Sequence, residues 1–512
     1  MNHWLSKFRS QRLKERFKDG GRNTPDEDPG WWNQPSISLL IGIFFWGAAS
    51  ILLYTELGNN HHDTFKQAAA NASKELFLLI ITVAAALMLR VLAPKVFKNN
   101  TYLLLLAMAA LATLIPGSIL IHLADHWPVL SHTVTEMLPP YALAPLLTGV
   151  LLGGGAAIVV GLWTSLVCFV IGNGSVYILV AGLIATATAA RWLKQIRRRT
   201  QVIRIGFLIG IFQIASLGIL PEHLPTDAIK ASTLIGASIA GGLMAGLLVL
   251  LLLPVCESLF GLTSTMSLLE LSDLAHPLLQ RLAFEAPGTY HHSLMVANLA
   301  QAAADEIEAN SVLARVGAYF HDIGKITKSD YYTENIRTGQ NPHDDLAPSM
   351  SALLVMSHIK EGVALAMLYK LPQAVIDIIQ QHQGTGLVVY FHHKAGQQAH
   401  AEAQTSPSRG RTVVDESNYR YPGPKPTSRE AAIIMLADSL EASSRSLEKP
   451  TAAGITELVD RIVDIRIEDN QLDDCEMTLE ELSRVKRAFV FCLSNMLHSR
   501  IAYPKSEEKK GC

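Results

Sequence analysis

Two different hydrophobic patterns divide the chain. Residues 37–254 are almost continuously apolar, in runs long enough for membrane helices, each of which needs about 20 apolar residues. From residue 256 onward, apolar positions recur with the 3.6-residue period of amphipathic helices, and no alternating strand pattern competes with them. The pattern predicts an all-α protein in which a polytopic helical membrane domain is followed by an all-helical soluble domain.

Eight apolar segments predict about eight membrane spans. They lie near residues 36–54, 76–94, 101–123, 139–153, 155–172, 175–192, 205–221 and 231–255. The fourth segment is short and meets the fifth at Gly153-Gly154-Gly155, which indicates a tight turn between two helices because glycine tolerates the backbone angles of such turns. The alternative is one long helix with a re-entrant piece.

Basic residues predict the orientation of these spans. They concentrate in three segments: Lys7, Arg9, Arg12, Lys14, Arg16 and Lys18; Arg90, Lys95 and Lys98; and Arg191, Lys194, Arg197, Arg198, Arg199 and Arg204. The connections at 122–136 and 221–229 contain no lysine or arginine. Since basic loops stay in the cytoplasm, both chain termini are expected there. The predicted regions are 1–35, a cytoplasmic basic segment; 36–255, the membrane domain; 256–504, a cytoplasmic all-helical domain; and 505–512, a tail.

The soluble half shows a run of predicted helices. Their bounds are 293–309, 312–320, 349–359, 362–369, 373–382, 429–447, 456–467 and 479–498. Residues 394–428 are rich in glutamine, serine and proline toward their end, a composition typical of a long loop. Gly324 follows the helix 312–320 and is predicted to cap its carboxyl end.

Composition excludes several classes of protein. The 512 residues are 49% hydrophobic and only 17% charged, and the formal net charge is −2, which gives no electrostatic signature of nucleic-acid binding. The five cysteines are scattered without a CxxC pair, which argues against a disulfide framework or a zinc ribbon. Few ionisable residues lie inside the predicted spans, so a transport pathway is not indicated.

Histidine and aspartate residues of the soluble half could hold metal ions. The candidates are His292, His321, Asp322, His358, His382 and Asp438. Taken singly, each histidine could instead cap a helix, fill the core or face solvent. Asp438 interrupts the apolar run 433–437, where a carboxylate must be paired or bind a metal. Imidazoles with carboxylates suit manganese or iron, and no thiolate is available for a softer site.

The order of these residues resembles the HD phosphohydrolase superfamily, which implies that the all-helical domain at 256–504 is of the HD type. The chain resembles the membrane-bound 7TM-HD family more closely. The resemblance lies in five motifs: Gly288-Thr-Tyr-His-His-Ser-Leu-Met-Val-Ala-Asn298, Arg315-Val-Gly-Ala-Tyr-Phe-His-Asp-Ile-Gly-Lys325, Asn341-Pro-His-Asp344, Arg420-Tyr-Pro-Gly-Pro-Lys425 and Met435-Leu-Ala-Asp-Ser439. Characterised members of that family are bacterial cyclic-di-AMP phosphodiesterases. The resemblance therefore implies a metal-dependent hydrolase of the bacterial inner membrane that converts cyclic-di-AMP to the linear dinucleotide.

The resemblance also implies roles for individual residues. His292, His321, Asp322 and Asp438 would hold one divalent ion, and Asp322, His358 and His382 a second, with Asp322 bridging. Asp322 and Lys325 would be catalytic, and Lys325 and Arg445 would contact the two phosphates of the substrate. Helix-dipole compensation is the alternative for Lys325, and a surface ion pair is the alternative for Arg445.

The chain departs from the family pattern in three places. Gln383 stands where the family usually has a second histidine, the large extracellular domain between the first two spans is missing, and 394–419 looks like an insertion. Two other functions stay open: an HD hydrolase of another nucleotide, and a membrane receptor whose HD fold only binds a nucleotide. The expected partners are a cyclic dinucleotide and the lipid bilayer, with no nucleic acid, and a homodimer is compatible with the sequence.

The basic segments lead to a test of topology. Reporter fusions at Glu222 and Lys505 should give signals from opposite sides of the membrane, because an odd number of spans separates the two positions in the eight-span arrangement. Fusions that report from the same side would contradict that arrangement.

Overall fold

The structure is a computed structural model that describes residues 31–54, 64–126, 132–193, 196–217, 227–336, 341–405, 414–447 and 451–498. Within these ranges the secondary structure is helical, with one isolated antiparallel bridge between Leu387 and Arg420. The all-α class predicted from the hydrophobic period is confirmed. The chain forms two compact units that divide between Met266 and Ser267.

The first unit consists of apolar helices. They are α1 (Pro35–Tyr54), α2 (Thr64–Leu92), α3 (Pro94–Phe97), α4 (Asn100–His126), α5 (His132–Met137), α6 (Leu143–Leu152), α7 (Gly154–Ile171), α8 (Val176–Trp192), α9 (Arg199–Leu217) and α10 (Ala228–Phe260). A helix lies at each predicted span. Gly153 separates α6 from α7 with a φ of 95°, which favours two helices over one continuous helix.

Five helices of this unit are long and apolar enough to cross a bilayer. They lie at Pro35–Leu53, Asn71–Leu92, Asn100–Ile121, Gly154–Ile171 and Ala228–Phe260. Helices α6 and α8 are apolar but shorter. Large side chains such as Phe44, Val91 and Leu251 are 67–78% exposed. A soluble protein rarely exposes so much contiguous apolar surface, so a bilayer is the medium that suits this unit.

Glycines allow α9 and α10 to approach each other closely. A Cβ atom added to Gly242 would lie 2.2 Å from the carbonyl oxygen of Gly206, and one added to Gly206 would lie 2.4 Å from the carbonyl oxygen of Gly242. Small residues at such crossings let two membrane helices pack backbone to backbone. The contact therefore depends on the absence of a side chain at both positions.

The second unit contains the remaining helices. Helix α11 (Thr265–Leu271) spans the division between the units. It is followed by α12 (Pro277–Glu285), α13 (Pro287–Glu306), α14 (Ser311–Phe320), α15 (Pro348–Leu368), α16 (Gln373–Gln381), α17 (Val389–Thr405), α18 (Arg429–Ser444), α19 (Ala452–Glu468) and α20 (Leu479–His498). Short 3-10 helices lie at Ile323–Tyr331, Thr333–Asn335 and Glu416–Tyr419. Val296, Phe320, Ile379 and Leu436 are fully buried in the common core of α13, α14, α16 and α18.

Two predicted boundaries in this unit were wrong. The segments 349–359 and 362–369 form the single helix α15, because Gly362 serves a close contact rather than a break. The first part of the predicted loop 394–428 is helical as far as Thr405. Phe391 and Ala395 of α17 pack against Ala352 in a small separate core, and this burial favours the helix over the loop that the composition indicated.

Helix α15 is itself long and apolar enough to count as a membrane span. It nevertheless belongs to the compact second unit and carries the buried polar side chains Ser351 and His358. Its apolar residues therefore serve a protein core, which composition alone does not distinguish from a span.

The glycine contact between α9 and α10 can be tested with one methyl group. Gly242→Ala should destabilise the membrane unit by about 1–3 kcal/mol, because the helices must separate to admit the new Cβ atom. Gly236→Ala is the matched control on the same helix, since a Cβ atom there meets nothing within 4 Å. Thermal unfolding of the full chain in detergent measures both; equal melting temperatures for the two variants would contradict the close contact.

Candidate metal centre

The six predicted metal ligands converge from separate elements of the second unit. His292 lies in α13, His321 and Asp322 follow α14, His358 lies in α15, His382 follows α16, and Asp438 lies in α18. All are buried except Asp438, whose side chain is 14% exposed. The structure thus gathers in one place residues that are as far as 146 positions apart in sequence.

Gly324 makes this convergence sterically feasible. The prediction that it caps α14 was wrong, because the helix ends at Phe320 with His321 as its cap. A Cβ atom at Gly324 would lie 1.9 Å from the carbonyl oxygen of His358 and 2.5 Å from the amide nitrogen of Gly362. The glycine therefore lets the 3-10 helix at Ile323–Tyr331 press against α15.

Four of the six residues form a first group. His292, His321, Asp322 and Asp438 each offer one ligand atom, and these atoms lie within 4.8 Å of one another. His292 Nε2 is 2.9 Å from Asp438 Oδ1, and His321 Nε2 is 3.2 Å from Asp322 Oδ2. We call this set the four-ligand group.

The second group shares Asp322 with the first. His358 Nε2 and His382 Nε2 lie 3.4 Å and 3.6 Å from Asp322 Oδ1, and the two nitrogens are 3.2 Å apart. We call Asp322, His358 and His382 the three-ligand group. Because Oδ1 faces this group and Oδ2 faces the other, the carboxylate is placed as a bridging ligand requires. The resemblance had predicted the same two groups.

Hydrogen bonds orient the histidines toward this centre. Each Nδ1 atom lies 2.5–2.9 Å from an oxygen: His321 from Ala318 O, His358 from Val355 O, His382 from Ile379 O, and His292 from Glu441 Oε2. An unprotonated oxygen only accepts, so each Nδ1 donates, and each Nε2 is left to carry either a proton or a metal ion. The Nε2 atoms of His358 and His382 face each other at 3.2 Å, an arrangement that either a shared proton or a metal cation would stabilise.

The buried polar atoms also fit a cation. His321 Nε2 and Asp322 Oδ1 are buried without a hydrogen-bond partner, which is rare for such groups. Burial works against the charge of Asp322, but His321 and Lys325 outweigh it and hold the pKa of this carboxyl well below its usual range. Burial lowers the pKa of His358 to about 4, which keeps the imidazole in its metal-binding neutral form.

Protons and metal ions compete for the four-ligand group. Burial lowers the pKa of His321, but the carboxylates of Asp322 and Asp438 together outweigh burial and raise it to about 10. The carboxylates thus stabilise a positive charge at the His321 ring, and either a proton or a metal ion supplies it. The donor set of nitrogen and oxygen atoms suits a divalent ion such as manganese or iron.

Lys325 lies beside the shared carboxylate. Its Nζ atom is 2.7 Å from Asp322 Oδ2 and donates a hydrogen bond to Glu334 Oε1 at 2.9 Å. Lys325 belongs to the 3-10 helix that follows α14, and its ammonium group contacts two carboxylates. Sequence reasoning missed Glu334, which no motif marks.

Arg445 lies outside both ligand groups. Its Nε and Nη2 atoms donate to Glu441 Oε1 at 3.0 Å and 2.9 Å, so an ion pair, the alternative for this residue, is present. Sequence reasoning missed Glu441. Its position one helical turn after Asp438 on α18 was a signal that could have revealed it, since residues three apart share a helix face.

Gln383 also contacts the centre. Its Nε2 atom donates a hydrogen bond to Asp438 Oδ2 at 2.8 Å, while Oδ1 of the same carboxylate faces His292. The glutamine that departs from the family pattern therefore orients a predicted ligand instead of supplying one.

Two known families match adjoining stretches of the chain. The family described as "7TM receptor with intracellular HD hydrolase" matches residues 72–264, which contain the second to eighth predicted spans. The HD domain family matches residues 289–443, which contain all six predicted ligands. The chain therefore combines a membrane region with an HD domain, whose family implies divalent metal binding.

Two curated bacterial proteins are similar in sequence to this chain. The cyclic-di-AMP phosphodiesterase PgpH of Listeria monocytogenes is 38% identical over 377 residues, which cover 72% of this chain and 50% of that protein. The protein of the same name in Bacillus subtilis is 37% identical over 337 residues, covering 65% and 45%. The chain spans about half the length of the curated relatives that it matches.

Solved structures are also similar to the second unit. The crystal structure of the L. monocytogenes PgpH HD domain is 44% identical, with a TM-score of 0.40, and the match covers 44% of this chain and all of that one. The same domain in complex with cyclic-di-AMP is 45% identical, with a TM-score of 0.40 and coverage of 43% and 98%.

The bridging position of Asp322 leads to a test by metal analysis. Asp322→Ala should lose both ions and nearly all turnover, because each ion loses a ligand and the charge that offsets it. Gln383→Ala is the control: it removes a hydrogen bond to Asp438 but no ligand, so metal content should stay near that of the parent. Elemental analysis and far-UV circular dichroism check both variants; an Asp322→Ala protein with its metal and activity would show that the two-ion interpretation is wrong.

Proposed function

Since the chain belongs to the family of 7TM membrane proteins with an intracellular HD hydrolase domain, we propose that it hydrolyses cyclic-di-AMP to the linear dinucleotide. The observation that carries this proposal is the pair of ligand groups that share Asp322. The curated relatives, which are named as phosphodiesterases of this nucleotide, support the choice of substrate.

The proposed site holds two divalent ions, manganese or iron. His292, His321, Asp322 and Asp438 would hold one, and Asp322, His358 and His382 the other. When bound, such ions supply Lewis acidity and activate water for in-line attack on phosphorus. The protein's own part is to fix the ligands, and it does so through the Nδ1 hydrogen bonds that orient each imidazole.

Lys325 is proposed to act on substrate and ligand together. Its ammonium group carries three donors; it forms an ion pair with Asp322 Oδ2 at 2.7 Å and donates a hydrogen bond to Glu334 Oε1. A remaining donor would meet a non-bridging phosphate oxygen, with the ammonium acting as a point charge. Glu334 restrains the flexible side chain and so limits the entropy lost when the substrate binds.

Arg445 stays a predicted contact of the second phosphate. Its side chain is 44% exposed, so a substrate can reach it, although Glu441 already accepts from its Nε and Nη2 atoms. Because Glu441 already holds the arginine side chain in place, less side-chain entropy would be lost when a phosphate binds it.

The proposed cellular setting follows from the membrane unit. We place the protein in the bacterial inner membrane with the HD domain, 256–504, in the cytoplasm, where a cyclic dinucleotide would be found. The segments 1–35, 36–255 and 505–512 keep their predicted roles as basic segment, membrane domain and tail. A homodimer and the absence of a nucleic-acid partner stay predictions.

Turnover by the full chain tests this proposal. Purified in detergent and supplied with Mn²⁺, the protein should hydrolyse cyclic-di-AMP at least tenfold faster than cyclic-di-GMP, because its motifs resemble the 7TM-HD family and Tyr421-Pro422 lacks the glycine of the GYP motif found in cyclic-di-GMP enzymes. Removal of the metal by a chelator should abolish turnover. Equal rates, or faster cyclic-di-GMP turnover, would assign the chain to another HD branch, whereas binding without turnover would favour the receptor.

A further inference from the structure

Two side chains outside the ligand groups distinguish one proposed metal site from the other. We propose that Glu441 is a positioning residue that makes the four-ligand group the tighter metal site, and that Arg445 holds Glu441 in place. This inference rests on the proposed two-ion function, but it concerns residues to which that function gives no such role.

Glu441 contacts a predicted ligand directly. Its Oε2 atom accepts a hydrogen bond from His292 Nδ1 at 2.5 Å, and the two side chains are only 8% and 6% exposed. A buried carboxylate behind a ligating imidazole fixes the ring orientation and increases its basicity. Both effects strengthen the bond that Nε2 makes to a metal ion on the opposite side of the ring.

Arg445 restrains this carboxylate from the solvent side. Its Nε atom lies 3.0 Å and 3.1 Å from the two carboxylate oxygens of Glu441, and its Nη2 atom lies 2.9 Å from Oε1. Arg445 caps the carboxyl end of α18 in helical conformation, four positions after Glu441, so the two side chains lie on one face of the helix. The guanidinium group thereby limits Glu441 to the rotamer in which Oε2 meets His292.

The other histidines lack such a partner. His321, His358 and His382 donate from Nδ1 to carbonyl oxygens three residues earlier in the chain. A neutral carbonyl orients an imidazole but increases its basicity less than a carboxylate does. The three-ligand group therefore contains only histidines with neutral acceptors, whereas the four-ligand group contains one with an anionic acceptor.

The distribution of charge favours the same site. The four-ligand group contains the carboxylates of Asp438 and Asp322, with Glu441 behind His292. Lys325 offsets part of this charge, since it lies 2.7 Å from Asp322 Oδ2. The three-ligand group contains no carboxylate other than Asp322. A divalent cation is accordingly attracted more strongly to the four-ligand group, which should fill first.

Titration of the metal-free full chain with Mn²⁺ tests the inference. With free Mn²⁺ followed by electron paramagnetic resonance, the parent protein should show a tighter and a weaker class of site. Glu441→Gln keeps the size of the side chain and an acceptor for His292 but removes the charge. It should weaken the tighter class by about 10–100-fold and leave the weaker class unchanged.

An equivalent ion pair elsewhere in the unit supplies the control. Arg281 and Glu285 are also four residues apart, with Nε and Nη2 donating to the carboxylate at 2.9 Å and 3.2 Å, and neither belongs to a ligand group. Glu285→Gln should leave both Mn²⁺ affinities unchanged. An unchanged tighter class in Glu441→Gln, or a parent protein whose two sites bind equally, would overturn the inference without affecting the proposed hydrolysis.

Arg445 variants separate positioning from substrate contact. Arg445→Met leaves the Glu441 carboxylate in place, so it should weaken the tighter Mn²⁺ class by a smaller factor, and Arg445→Lys should recover part of that loss. If Arg445 acted on the substrate alone, KM would rise and both Mn²⁺ affinities would stay the same, which would overturn its positioning role. Should Glu441→Gln fail to fold, Arg445→Met decides the inference by the same titration.

Discussion

The second unit is organised around one buried carboxylate, that of Asp322. An ionised carboxylate removed from water is unstable by many kcal/mol unless it is paired. Here the Nε2 atoms of four histidines lie within 3.7 Å of its two oxygens, and Lys325 Nζ lies at 2.7 Å. Because these partners come from different elements, α13, α14, α15 and α16 must converge on this point. The core packing and the proposed chemistry thus depend on the same side chain.

Sequence reasoning predicted the six residues that converge at this centre but not the residues that support them. The ligands stand in recognisable motifs, such as His321-Asp322 followed by Gly324-Lys325. Glu334 and Glu441 resemble ordinary surface glutamates until the fold buries them beside Lys325 and His292. Their roles depend on packing between distant elements, which motif spacing does not encode.

The difference between local sequence pattern and packing between distant elements also explains which features of the fold were predictable. Periodicity identified the helices because it reports which face of each helix is buried. It failed at Gly362, where a glycine that resembles a helix break instead leaves room for Gly324. It also failed at α17, whose polar composition indicated a loop although Phe391 is buried against a neighbouring element. In both cases a tertiary contact overrode the local preference of the sequence.

The predicted histidine ligands differ in where their Nδ1 hydrogen-bond acceptors come from. His321, His358 and His382 take their hydrogen-bond acceptors from their own helical segments, so each ring is fixed relative to its own backbone. Only the packing of the helices sets the distances between the rings. His292 differs, because its acceptor belongs to α18, the helix that also carries Asp438. Glu441 and Asp438 therefore contact His292 at its two ring nitrogens. Among the described residues, α13 and α18 are the only two ligand-bearing helices joined by a hydrogen bond from a histidine Nδ1 to a side chain. The four-ligand group is thus linked across two helices, whereas the three-ligand group depends on how α15 and α16 pack around Asp322.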